Sequence, residues 1–156
     1  MPRILVKSFT VAPGSIDLNG HVNNQEYVRW MQETATAHSD QQGWTAGRYA
    51  ETQTTWVIRS HYIEYLRPAF AGDELMVATW ISGMDRHTSP RQYRFVRVRD
   101  GKTLVEAKTL WVYCDTTNGR PTHITNEIRE AFPVVADAQE IRAAIAKGFV
   151  RTAPER

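Results

Sequence analysis

The chain has 156 residues, a 42% hydrophobic fraction and a formal net charge of +2. That is enough for one domain burying about two-thirds of its unfolded surface, and it contains no apolar run of membrane-spanning length. The arginines are scattered rather than blocked, so charge points to no nucleic-acid partner, although a pI near 8.8 suits a polyanionic ligand. A lone Cys114 leaves no internal disulfide and fits a reducing compartment.

In chain order, residues 4–12 are a predicted first strand. The apolar run at the start is soon broken by a charge, unlike a signal peptide, so a cytoplasmic location is expected. The run Asp17-Leu18-Asn19-Gly20-His21-Val22-Asn23-Asn24-Gln25-Glu26-Tyr27 follows. It crowds a carboxylate, amides, a glycine and an imidazole ahead of a helix predicted over about 24–40. Asn23 is a good N-cap, with Glu26 at the third helical position as in a capping box. The N–H of Asn24 is then a first-turn donor without an intrahelical partner, at the positive end of the helix dipole. Such a donor can bind a carbonyl oxygen that becomes negative during acyl transfer. Asp17 can attack a carbonyl or activate a water. Gly20 leaves room for close approach of a substrate. Taken singly, Asp, Asn and Gly are more often turn residues that bond their own backbone, and the case rests on their combination.

On the helix, Tyr27, Trp30, Met31, Thr34, Ala35 and His38 share one face, as a core-facing stripe does. Residues 43–51 are expected to be a connection, broken at Gly43 and Gly47. Strands are predicted at about 53–66, 73–83, 91–99 and 102–115, with tight turns at Pro68–Gly72 and Asp100-Gly101. A short helix near 125–132 and an amphipathic tail helix near 137–147 close a single domain spanning 1–156, the tail beginning near 134. The pattern is α+β: one long helix against about five antiparallel strands.

The Gly20-His21-Val22-Asn23-Asn24 run with Tyr27 resembles the signature of the hotdog-fold thioesterases of the 4-hydroxybenzoyl-CoA and acyl-CoA thioesterase group. The spacing of Asp17, Asn19 and His21 is also similar to plant acyl-carrier-protein thioesterases. Ile63 to Leu75, Thr109 to Tyr113 and Gly119-Arg120-Pro121 extend the resemblance over about residues 4–132. It implies a long central helix wrapped by the sheet, and hydrolysis of an acyl-CoA or acyl-carrier-protein thioester. Asp17 would be nucleophile or general base, with Asn19 and His21 positioning it, the water or the thioester. Gly20, Val22, Asn23 and Tyr27 would line the substrate. No cofactor or metal is implied beyond coenzyme A within the substrate. Sheet edges and the resemblance together imply a homodimer or homotetramer, with no membrane partner.

Two departures stand out. Ser15 occupies a position where relatives often carry a second acid, and Pro68-Ala69 falls where plant members place an acidic or thiol residue. Arg86 and Arg91 flank the predicted Met84–Pro90 turn and are candidates for coenzyme A phosphates, although solvated turn charges are the commoner role. Gly43-Trp44-Thr45-Ala46-Gly47 imitates a nucleophile elbow but has Thr for Ser and follows a helix. A hotdog dehydratase or hydratase would need a different His-based motif. A non-catalytic acyl-CoA-binding module is the remaining alternative; regulators on this fold usually add a DNA-binding domain, which is not expected here because the first strand is predicted to begin early.

Overall fold

The computed structural model describes residues 3–152. The elements are β1 (Ile4–Thr10), a 3-10 turn (Pro13–Ser15), α1 (Asn24–Gln41), α2 (Ala46–Thr52), β2 (Thr54–Tyr65), β3 (Glu74–Ile81), β4 (Thr88–Arg97), β5 (Thr103–Asp115), α3 (Asn126–Ala131) and α4 (Ala138–Thr152). The strands form one antiparallel sheet in the order β1-β3-β4-β5-β2.

The helix stripe behaves as its periodicity demands. Tyr27, Trp30, Met31, Thr34, Ala35 and His38 are the buried residues of α1. They pack with Leu75, Val77, Tyr93, Phe95, Val105 and Ala107 of the sheet. Rings lock the contact: Tyr27 meets Phe95 edge-on at 5.1 Å and Trp30 at 5.3 Å. Such pairs add about 0.5–1.5 kcal/mol each beyond burial. A long helix held in the concave face of a five-stranded antiparallel sheet is the hotdog arrangement.

The opposite face of β3 is covered by α4, where Met76, Ala78 and Trp80 pack with Ile141 and Ile145. Burial on both faces explains why β3 is a nearly continuous apolar run rather than an alternating one. Gly148 permits this closeness, because a Cβ there would lie 2.6 Å from the Met76 sulfur and 2.8 Å from Val6.

Two expectations are corrected here. The connection at 43–51 contains a helix, α2, with Gly47 inside it. Thr45 caps it by accepting from the Arg48 N–H, and Trp44 packs on Tyr49 with ring centroids 5.0 Å apart. Tertiary packing outweighs the propensity cost of one glycine, about 1 kcal/mol. β4 begins at Thr88, three residues before the predicted start, so Arg91 lies within a strand instead of beside a turn.

The sheet ends in two different edges. β1 is flanked by α4, while β2 is a twelve-residue edge with a register shift between Ile58 and Ser60. Val57, Tyr62 and Tyr65 along it are 49%, 67% and 42% exposed. No helix among the described residues is long and apolar enough to cross a membrane.

Candidate active site

The loop between β1 and α1 is pinned at both ends. Ile16 bridges Val22, and the Asp17 N–H donates to the His21 carbonyl at 2.8 Å. The Gly20 N–H closes the turn on the Asp17 carbonyl at 3.1 Å, with Gly20 at φ 79°. That left-handed conformation is what requires glycine here. A Cβ at Gly20 would also meet nothing within 4 Å, so the surface above it is open. Val22 is buried, and its N–H donates to the Ala69 carbonyl at 2.9 Å, which seats the loop on the β2–β3 turn.

Asp17 serves this loop with one oxygen. Its Oδ1 accepts the Asn19 N–H at 2.9 Å and the His21 N–H at 3.3 Å. Asn19 and His21 therefore position the carboxylate through their backbone rather than their side chains. Oδ2 makes no hydrogen bond to a described residue. The His21 imidazole instead stands edge-on to Phe70, centroids 5.3 Å apart. Asn19, Gly20, His21 and Asn24 are all exposed, and Leu18 projects fully into solvent.

The helix entry is half as expected. Asn23 is the N-cap, accepting the Gln25 N–H at 3.0 Å, and its own N–H donates to the Ser15 carbonyl at 2.8 Å. Glu26 does not close the capping box. Its Oε1 accepts from Ser15 Oγ at 2.8 Å and its Oε2 from Arg29 Nε at 2.6 Å. Those two hydrogen bonds, Arg29's first, hold the Glu26 carboxyl below its usual range. The acid missing at position 15 is thus met by a carboxylate from the first turn of α1, eleven residues on. The Asn24 N–H has no acceptor among the described residues, while its carbonyl receives the Tyr65 hydroxyl at 3.4 Å.

Val22 and Tyr27 are core residues. Tyr27 is 3% exposed and its buried hydroxyl has no hydrogen-bond partner. Burial pushes that hydroxyl up to about 12.

The two arginines do not join the loop within one chain. β3 runs from the loop end, where Glu74 pairs with Thr10, towards the end that carries Arg86. Seven residue steps along a strand separate those ends by about 24 Å. Arg86 is exposed and donates from Nε to His123 Nε2 at 2.6 Å. Arg91 is 5% exposed, which removes it as a surface phosphate contact.

Sequence reasoning missed a cavity of about 430 Å³. It lies between the second half of α1, α2, the start of β2 and the end of β5. Its walls include Ala35, Trp44, Tyr49, Trp56, Trp111 and Phe132. A volume and a mostly apolar lining of this kind suit a small organic group. Trp44, Trp56 and Trp111 are far apart in the chain; the β2–β5 pairing and the packing of α2 bring them round one space. Among the described residues no group of three or more His, Cys, Asp or Glu side chains could hold a metal ion.

Comparison with known proteins agrees with this geometry. The thioesterase-like superfamily profile matches residues 11–132. Over 142 residues the chain is 22% identical to the chloroplastic acyl-[acyl-carrier-protein] hydrolase FATB3 of Cuphea viscosissima, covering 86% of this chain and 34% of that protein. It is 24% identical over 135 residues to the chloroplastic oleoyl-acyl carrier protein thioesterase 2 of Arabidopsis thaliana, covering 82% of this chain and 36% of that one. The chain thus spans about a third of the length of these curated relatives. Among solved structures, the 1,4-dihydroxy-2-naphthoyl-CoA thioesterase of Synechocystis superimposes with a TM-score of 0.75 at 16% identity, over 82% of this chain and 94% of that one. The acyl-ACP thioesterase of Bacteroides thetaiotaomicron reaches 0.79 at 19% identity, over 86% of this chain and 55% of that one. With its profile matched from the end of β1 to the end of α3 and its helix wrapped by the sheet, the chain belongs to the thioesterase-like superfamily and has the hotdog fold.

Proposed function

We propose that this chain hydrolyses acyl thioesters of coenzyme A or of an acyl carrier protein, releasing the free acid and the thiol. The observation that carries this reading is the Asp17 carboxylate, clamped by one oxygen in an exposed loop that ends at the open N-terminus of α1. Oδ2 either takes a proton from a water that attacks the carbonyl carbon, or attacks that carbon itself. In both routes the carbonyl oxygen gains negative charge, which the Asn24 N–H and the helix dipole stabilise. The tetrahedral adduct then expels the thiolate, which takes up a proton. In the second route water afterwards cleaves the acyl–Asp17 anhydride.

The catalytic loop and the cavity lie at opposite ends of one subunit, and a second copy reconciles them. A two-fold pairing of the open β2 edges is antiparallel. It sets the Tyr65 end of one strand, which touches Asn24, beside the partner's Thr54–Trp56 end, which lines the cavity. Each loop then faces the other subunit's cavity, and the exposed Val57, Tyr62 and Tyr65 gain cover. Within one subunit the cavity wall begins at Ala35, eleven residues along α1 from Asn24, about 16 Å away.

The test is thiol release from a panel of acyl-CoAs and acyl carrier proteins. Asp17→Asn should lower kcat by about a hundredfold or more with the fold intact. Turnover near wild type would remove Asp17 from the chemistry. Light scattering should give at least twice the chain mass. Tyr62→Lys should shift the protein towards monomer and depress kcat in parallel, and a fully active monomer would overturn the shared site.

A further inference from the structure

Arg91 sits where a cation is expensive. It is 5% exposed, on the concave face of β4 against the second half of α1. Its Nη1 donates to His38 Nδ1 at 2.9 Å and to Thr79 Oγ1 at 3.1 Å. A guanidinium carries five N–H donors and no acceptor. The Nε and Nη2 protons make no hydrogen bond to a described residue. None of the ion pairs among the described residues involves Arg91. Burial pulls its guanidinium below the usual range, yet an arginine stays charged in a protein.

Arg91 is one of the residues that line the cavity. The one other charged wall residue, Asp40, is exposed and makes no ion pair with Arg91. Moving inward from the edge strand, the wall passes from Trp56 on β2 to Trp111 on β5 and then to Arg91 on β4. The buried Trp111 Nε1 lies beside the Tyr93 hydroxyl, which feels both Trp111 and the Arg91 charge, so the guanidinium is the donor left for a ligand. An acyl chain entering past β2 would cross β5 before it reached Arg91 on β4.

We propose that the cavity seats the acyl group of the thioester and that Arg91 selects acyl groups whose far end is a carboxylate. The substrates are then ω-carboxyacyl thioesters, half-thioesters of dicarboxylic acids. A carboxylate fits the free edge of the guanidinium as a planar two-pronged acceptor. It also neutralises a buried charge that otherwise lacks a counter-ion, whereas a methyl end leaves that charge and its donors unpaired. The assignment of substrate rests on the thioesterase reading; the anion preference of the cavity does not.

The experiment has two arms. In the first, kcat/KM is measured for hexanoyl-CoA, its ω-hydroxy counterpart and adipoyl-CoA, with wild type and Arg91→Met. Adipoyl-CoA should be preferred over hexanoyl-CoA by at least about tenfold in the wild type, and the preference should vanish in the variant. Equal or better turnover of hexanoyl-CoA overturns the proposal, as does an ω-hydroxyl that matches the carboxyl, or a preference that survives Arg91→Met. The second arm needs neither a variant nor turnover. Free hexanoate, but not hexan-1-ol, should quench the emission of the wall tryptophans saturably and raise the melting midpoint of the wild type. Failure of hexanoate to bind, or equal binding of the alcohol, overturns the anion-selective cavity whatever the enzyme hydrolyses. Hexanoate binding with no turnover of any thioester would instead overturn the thioesterase reading.

Discussion

Tyr27→Phe should make this protein more stable. The Tyr27 ring is 3% exposed and fills the space between Trp30, Tyr65 and Phe95, at centroid distances of 5.3, 5.7 and 5.1 Å. Phenylalanine keeps those contacts. What it removes is a hydroxyl that is buried without a partner. An unmade hydrogen bond of a buried polar group costs about 1–3 kcal/mol. For a domain of this size each kcal/mol moves the midpoint by about 2–4 °C. The expected rise is therefore about 2–12 °C, read by calorimetry or circular dichroism. Turnover should change by less than about twofold, because a core residue does not touch the thioester. A fall in the midpoint would show that the hydroxyl is paired in the assembled protein, by a water or a second subunit. A large loss of kcat with a stable fold would return Tyr27 to the substrate-contacting set that the sequence motif suggests.

Asn23→Ala separates the two duties of the helix entry. It removes the acceptor of the Gln25 N–H, a cap worth about 1 kcal/mol, and loosens the turn that aims the Asn24 N–H. Because an oxyanion donor is worth about 10²–10³ in kcat, turnover should fall by more than thermal melting accounts for, with KM changed less. Melting reduced by the cap value alone, with kcat intact, would make the helix start purely structural. A further expectation concerns acid. The Arg97 guanidinium, helped by the Lys102 N–H, draws the Asp100 carboxyl down from 3.8 to about 2. A folded value below the unfolded one means stability that is complete above about pH 4 and lost as pH falls towards 2. Asp100→Asn should flatten the melting midpoint across that window, and curves that stay parallel would refute the assignment.

The sequence by itself determined the architecture because its signals are local or periodic. The 3.6-residue stripe from Tyr27 to His38 names the buried face of α1, and the helix is observed over Asn24–Gln41. Turn chemistry at Pro68–Gly72 and Asp100-Gly101 sets the strand breaks within one or two residues. Asn23 reads correctly as a cap because capping involves only the next few residues. Where a local rule met a distant partner, the partner won. Glu26 is placed for a capping box yet spends its oxygens on Ser15 and Arg29. Gly47 reads as a breaker, but Thr45 and the Trp44–Tyr49 contact hold α2 around it. Arg91 resembles a solvated turn charge only while β4 is thought to begin with it. The ladder starts at Thr88, and strand alternation then turns Arg91 inward beside His38. Tertiary structure alone decided the cavity, whose walls come from helices and strands far apart in the chain, and with it the buried cation in its lining.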